Sequence, residues 1–215
     1  MFSVKTYYHA GMRKAVSAKT AKKAKSASND NIKVISSKRV YKGPVFTVFS
    51  DRVREGEHTG QRDVIRHSGS VVMMAVDEPA RSAPLVLLVR QYRYATNQHM
   101  WELPAGRIDK GENKLAAAKR ELLEETGVTA KKWKRLFQFF ASPGFLDETM
   151  DIFLARDLAR GEAQPEEDEQ ISVRFFPLSS ALKMVRAGAI RDAKTMTGLL
   201  WLGSMVNMGD NRQRK

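Results

Sequence analysis

The stretch from Gly106 to Val128, GRIDKGENKLAAAKRELLEETGV, constrains the fold of this 215-residue chain more than any other. Leu115, Ala116, Ala117, Ala118, Leu122 and Leu123 are good helix formers with an apolar stripe, and Gly127 stands where a helix C-terminus takes a left-handed residue. The spacing predicts a loop, a helix from Asn113 to Glu125, and a second loop. On that helix Glu121 and Glu125 are four apart and Glu121 and Glu124 three apart, so their carboxylates share one face.

Acids gathered on one face repel one another at neutral pH unless a cation lies between them. Hard oxygen donors of this kind suit Mg²⁺ or Mn²⁺, which neutralise charge developing at phosphorus and lower the pKa of a bound water. Arg120 is placed to hold one of the glutamates. A run rich in Glu, Lys and Arg is usually only a solvated helix face. Against that, Gly106 and Glu112 precede the helix at fixed offsets and the acids are not interleaved with lysines.

Written as a pattern, the segment is Gly106, five residues, Glu112, seven residues, then Arg120-Glu121-Leu122-Leu123-Glu124-Glu125-Thr126-Gly127-Val128. Such a pattern arises by accident with a probability on the order of 10⁻⁷ in a chain of this length, so it carries weight that a short glycine motif does not. It fills every position of the Nudix box, and the chain resembles a Nudix hydrolase.

The remaining sequence sets limits. The length allows one sizeable core with a small appended subdomain. Cysteine is absent, which excludes disulfides, a thiol nucleophile and Cys-ligated zinc, and a cytoplasmic location is expected. Apolar runs such as Val71 to Val76 have strand length rather than the ~20 residues of a membrane helix, so no membrane association is expected. The net charge of +13 is uneven, with Lys5, Arg13, Lys14, Lys19, Lys22, Lys23 and Lys25 preceding the first acid, Asp30. Residues 1–32 therefore read as a basic, low-complexity, disordered tail whose favoured role is a solubilising extension. Nonspecific contact with nucleic acid and a transit peptide are the alternatives.

Strands are expected at Lys33 to Val40, Val45 to Val53 and Asp63 to His67, forming a small antiparallel sheet in a subdomain spanning 33–68. In the catalytic domain, 69–206, Ser70 to Val76 and Leu85 to Gln91 read as buried central strands. Further strands are expected at Trp133 to Phe140, Thr149 to Ala155 and Ile171 to Phe176. Helices at Ser179 to Ala187 and Ala193 to Val206 follow, then a polar tail over 207–215. The predicted fold class is α/β, a sandwich of helices around a mixed sheet preceded by a small antiparallel sheet.

Outside the box, the chain is similar to ADP-ribose pyrophosphatases over about Lys33 to Gly203. The resemblance rests on Val40-Tyr41-Lys42-Gly43-Pro44-Val45-Phe46 with Val64-Ile65-Arg66-His67, on Val89 to Tyr94, and on Trp101 to Gly106. It rests equally on Ser142-Pro143-Gly144-Phe145, the acidic run Pro165 to Ile171, and Ile190 to Thr195. It implies hydrolysis of ADP-ribose to AMP and ribose 5-phosphate with Mg²⁺ or Mn²⁺, and a homodimer formed through the N-terminal sheet. Glu121 and Glu125 would ligate metal with the Ala105 carbonyl, and Glu124 would be a ligand or orienting partner. The general base would be Glu167 with Glu169 as a further metal contact, and Glu148 is the rival base. Arg93 and Glu102, with Pro143 and Gly144, would hold substrate, although a structural ion pair would use Arg93 equally well. Tyr41 or Phe46 would stack adenine across the dimer. Gly106, Glu112 and Gly127 complete the box as structural positions. Alternatives are another nucleoside diphosphate derivative as substrate, or an RNA-associated protein drawing affinity from its basic tail.

Overall fold

Side chains alternating along β4 (Ser70–Asp77) divide between two apolar layers, and the architecture follows from that division. In this computed structural model, which describes residues 32–79, 83–163 and 170–213, Val72, Met74 and Val76 face one layer and Val71, Met73 and Ala75 the other. Against the first pack α2 (Leu178–Arg186) and α3 (Ala193–Gln213), through Leu178, Ala181, Val185, Leu199 and Leu202. Against the second packs α1 (Lys114–Thr126), through Ala117, Ala118 and Leu122. A strand covered on both faces must be apolar at successive positions, which is why β4 and β5 (Leu85–Arg93) lack the alternation of a half-exposed strand. The result is the expected sandwich of helices around a mixed sheet.

The main sheet has the order β10–β5–β4–β9–β8, with β8 at Val128–Phe140, β9 at Thr149–Arg160 and β10 at Ser172–Pro177. β4 and β9 run parallel, and the other pairs are antiparallel. β4 and β5 pair only at Val76↔Val86 and Asp77↔Leu85 before they part. Two short strands fill the opening: β6 (Gln98–Glu102) pairs with β5, and β7 (Ala105–Arg107) pairs with β4. Their backbone groups satisfy edges that would otherwise be buried and unpaired. The split delivers residues 105 to 107 to the mouth of a cleft beside α1.

A separate antiparallel sheet, β1–β2–β3, comprises Ile32–Lys42, Phe46–Glu55 and His58–His67. The loop after β8 fastens this sheet to the main domain. Ile65 N donates to Phe145 O at 2.8 Å, Asp147 N to Ile65 O at 3.1 Å, and His67 N to the Asp147 carboxylate at 2.8 Å.

Several boundaries differ from expectation, among them the start of β3 at His58 rather than Asp63 and the end of β9 at Arg160 rather than Ala155. β8 starts at Val128 rather than Trp133, because a buried Val128 is followed by exposed Thr129, Lys131 and Lys132 on an edge strand, which leaves little apolar signal. α3 continues to Gln213, through residues expected to be a polar tail. No proline interrupts that segment, and adding turns to a nucleated helix is inexpensive. Residues 1–31 of the expected basic tail lie outside the described residues, and Ile32 already belongs to β1. Among the described residues no helix is long and apolar enough to cross a membrane.

Candidate active site

The box helix is fixed at both ends by its own sequence. At the N-cap, the Asn113 side chain accepts from Leu115 N at 2.9 Å and Ala116 N at 3.4 Å. At the other end Gly127 has φ +67°, and an added Cβ would lie 2.6 Å from Ala163 N, so the close passage of the following chain also demands glycine. With its ends set, α1 presents Arg120, Glu121, Glu124 and Glu125 to a cleft of about 380 Å³, lined also by Val45, Arg93, Ala105, Gly106, Arg107 and Asp109. A larger concavity, about 510 Å³, lies on the N-terminal sheet among residues such as Ser36, Lys38 and Arg52, but it gathers no paired acids.

Arg120 organises the acids. Its Nε and Nη2 form a fork on Glu112 at 3.0 and 2.9 Å, while Nη1 donates to Glu121 at 2.8 Å and Glu124 at 3.0 Å. Nη2 also reaches the Arg107 carbonyl at 3.2 Å. The hydrogen bond from Arg120 holds the Glu112 carboxyl below its usual range, and the ring of acids pushes the guanidinium still further up. The sequence reading that Arg120 holds one glutamate was too modest, since it bridges three.

Gly106 is a cradle. A Cβ built there would meet the Glu121 carboxylate carbon at 1.9 Å, so any side chain would expel Glu121 from its position. Glu125 is 6% exposed and accepts from Ala105 N at 3.2 Å. The donors facing the cleft are hard oxygens, which fits a divalent cation of the Mg²⁺ or Mn²⁺ type rather than a softer one. Among the described residues no three acidic or histidine side chains form a closed ligand cluster, and the cation placed between Glu112, Glu121 and Glu124 is the Arg120 guanidinium.

Arg93 reaches the same cleft, but its Nε and Nη2 form a fork on Glu102 at 2.9 and 2.8 Å. Glu102 is 1% exposed and also receives a close contact from Lys194. Burial pushes its carboxyl up, but the Arg93 fork and the Lys194 charge outweigh this and hold it below the usual range. The ion-pair reading of Arg93 is the one the contacts show, and the same guanidinium lines the cleft. Lys194, itself buried, pairs with Asp192 at 3.0 Å, and Thr195 Oγ1 donates to Asp192 at 2.6 Å while accepting from Leu103 N at 2.7 Å. This network docks the start of α3 beneath the cleft.

The other expected site residues are elsewhere. Glu148 lies near the start of β9, where Ser70 Oγ donates to it at 2.6 Å and His67 Nδ1 stands 3.6 Å away. Pro143 and Gly144 are exposed on the loop that joins the N-terminal sheet, and are not among the cleft-lining residues. Tyr41 and Phe46 are exposed and pack on each other with ring centroids 5.6 Å apart. Glu167 and Glu169 lie outside the described residues.

Three features of the molecule went unassigned in sequence. Arg107 occupies a position the box pattern leaves open. Lys194 supports the cleft from 92 residues beyond Glu102, and in sequence it stood only within the Ile190 to Thr195 run. Asp151, fully buried, draws Lys114 at 2.6 Å, Gln138 at 3.0 Å and the Arg135 Nε at 2.6 Å to one carboxylate.

Comparison with known proteins agrees with this geometry. A family model for the NUDIX domain matches residues 66–198. An ADP-ribose pyrophosphatase of Bacillus subtilis is 35% identical over 173 residues, 79% of this chain and 91% of that protein. A GDP-mannose pyrophosphatase of Citrobacter koseri is 35% identical over 159 residues, 66% of this chain and 81% of the relative. A solved structure described as an ADP compounds hydrolase superimposes with a TM-score of 0.72, covering 83% of this chain and 96% of that one; at 22% identity it speaks for the fold alone. Because the matched residues span the sheet, the cradle at Gly106 and the acid-bearing helix that together make the cleft, the chain belongs to the NUDIX family of hydrolases.

Proposed function

We propose that this chain hydrolyses the diphosphate bond of ADP-ribose, or a related ADP-sugar, to AMP and a sugar phosphate with the help of Mg²⁺ or Mn²⁺. The observation that carries the reading is the cleft itself, where Glu121, Glu124 and Glu125 face the guanidinium groups of Arg93 and Arg120 beside the glycine cradle. NUDIX hydrolases typically use divalent metals, and Glu121 and Glu125 with the Ala105 carbonyl would hold one here. A bound divalent ion supplies positive charge that offsets the acids and stabilises charge building at phosphorus.

The protein groups do the rest. Arg120 holds the carboxylates of Glu121 and Glu124 together on one guanidinium nitrogen, and Glu102 holds the Arg93 fork at the cleft wall. Water adds its oxygen to phosphorus, the bridging P–O bond breaks, and the water proton passes to a carboxylate. We assign that base to Glu167, with Glu169 as a further contact to the cation. Glu148 is the weaker choice because Ser70 already occupies its carboxylate. Pro143 and Gly144 would take part in holding substrate only from a second copy of the chain.

A second reading keeps the chemistry and changes the attached groups, and the GDP-mannose pyrophosphatase relative favours it. Turnover of ADP-ribose, ADP-glucose and GDP-mannose with Mg²⁺ separates the two. The highest kcat/KM is expected for ADP-ribose. A clear preference for GDP-mannose supports the second reading, and no nucleotide released from any of the three refutes both. Contact of the basic tail with nucleic acid forms no part of either reading.

The N-terminal sheet also serves as a homodimer surface in this proposal. Ile32, Val34, Ile35, Val40, Tyr41 and Val45 are exposed on or beside it, more apolar surface than a small solvated sheet normally presents. Sedimentation at micromolar concentration is expected to give twice the chain mass of 24.2 kDa, and a monomer there contradicts the assignment.

A further inference from the structure

The arginines of the cleft are not equivalent. Arg93, Arg107 and Arg120 all line it. Arg120 is committed to Glu112, Glu121 and Glu124, and two of the Arg93 donors are committed to Glu102. Among the described residues, the ion pairs of the cleft arginines belong to Arg93 and Arg120. Arg107 instead donates from Nη1 to the Pro44 carbonyl at 3.0 Å, a neutral acceptor that leaves its charge unspent.

Its position is set at both ends. The backbone belongs to β7, pairing with Ser70, and its carbonyl accepts from Arg120 at 3.2 Å. The side chain is tethered across the cleft mouth by the turn between β1 and β2, whose next residue, Val45, forms part of the wall. A flexible exposed arginine pays much of its rotamer entropy on binding a ligand, and a tethered one has already lost it. A diphosphate entering this cleft meets several carboxylates and needs an uncommitted cation. The planar guanidinium suits phosphate oxygens.

We propose that Arg107 binds the diphosphate of the substrate, aimed by the Pro44 carbonyl. The proposal rests on the diphosphatase reading and adds to it a recognition residue from an open position of the box.

The test is calorimetric titration, with Mg²⁺, of two probes whose P–C–P bridge cannot be hydrolysed: methylenediphosphonate and the α,β-methylene analogue of ADP-ribose. Arg107→Met is expected to weaken both about 10- to 100-fold, the range for losing a charge-assisted hydrogen bond to an ionised group. Arg107→Lys should fall between, keeping the charge but losing the fork. Because Arg107 is exposed, the Tm of both variants should stay within about 2 °C of wild type. In turnover, KM should rise by more than kcat falls. Unchanged affinity in Arg107→Met overturns the proposal. So does a loss confined to the nucleotide analogue, which would mean that Arg107 reads the attached groups. Failure of wild type to bind methylenediphosphonate overturns it as well. If Arg107-dependent binding persists in a protein that cleaves no nucleoside diphosphate sugar, the functional reading fails and this assignment stands.

Discussion

Glu125→Gln is expected to lower kcat by on the order of 10²- to 10³-fold at saturating Mg²⁺ while leaving the fold intact. The variant separates two jobs of one side chain. Glu125 accepts a hydrogen bond from Ala105 N at 3.2 Å, and the glutamine carbonyl oxygen can accept it equally, so the junction of α1 with β7 survives. What disappears is the negative charge at the cleft, and with it the hold on a divalent cation. Metal stabilisation of a phosphoryl transition state amounts to several kcal/mol, and about 1.36 kcal/mol corresponds to each tenfold in rate. Steady-state kinetics with a thermal melt on the same preparation checks both halves. A fall in kcat below about fivefold removes Glu125 from the ligand set.

The second large effect concerns stability. Combining Lys114→Met with Arg135→Met is expected to destabilise the protein by about 3–5 kcal/mol, because it strands a buried carboxylate with only Gln138 as a partner. Asp151 is 0% exposed, whereas both cations are about half exposed and lose little themselves. In a domain of this size that cost corresponds to a Tm lower by about 6–20 °C. Adding Asp151→Asn should recover most of it by removing the charge. An added Asp151→Asn that changes nothing would show that the carboxylate is not the source.

The same site predicts an acid response. Burial pushes the Asp151 carboxyl up, but Lys114 and Arg135 outweigh it and hold it below its ordinary value of about 3.9. A folded pKa below the unfolded one contributes stability that is present above pH ~4 and lost as pH falls through the folded value. Asp151→Asn should therefore flatten the decline in Tm below pH ~4 relative to wild type, and an unaltered acid limb contradicts the assignment.

Much of this site was legible because its determinants are local. The box helix and its Gly127 terminus follow from residue type and spacing alone, as does the shared face of the glutamates, whereas Asn113, expected inside the helix, is its N-cap. The two central strands announced themselves as apolar runs because helices cover both faces of the sheet. What could not be read depends on the third dimension. β6 and β7 are too short to carry a period, and they exist because β4 and β5 diverge. Lys194 meets Glu102 only after α3 has docked, and the free charge of Arg107 emerges only when the partners of Arg93 and Arg120 are known. Glu121 over Gly106 lies between these cases, since the sequence demanded a glycine there and the reason is a steric contact.

The most direct measurement is product analysis of ADP-ribose incubated with the purified protein, with Mg²⁺ and then with EDTA in excess. Equimolar AMP and ribose 5-phosphate with Mg²⁺, and neither with EDTA, is the result expected of a metal-loaded acidic cleft that breaks the diphosphate bond. Turnover that persists in EDTA, or products cut anywhere but between the two phosphates, would contradict it.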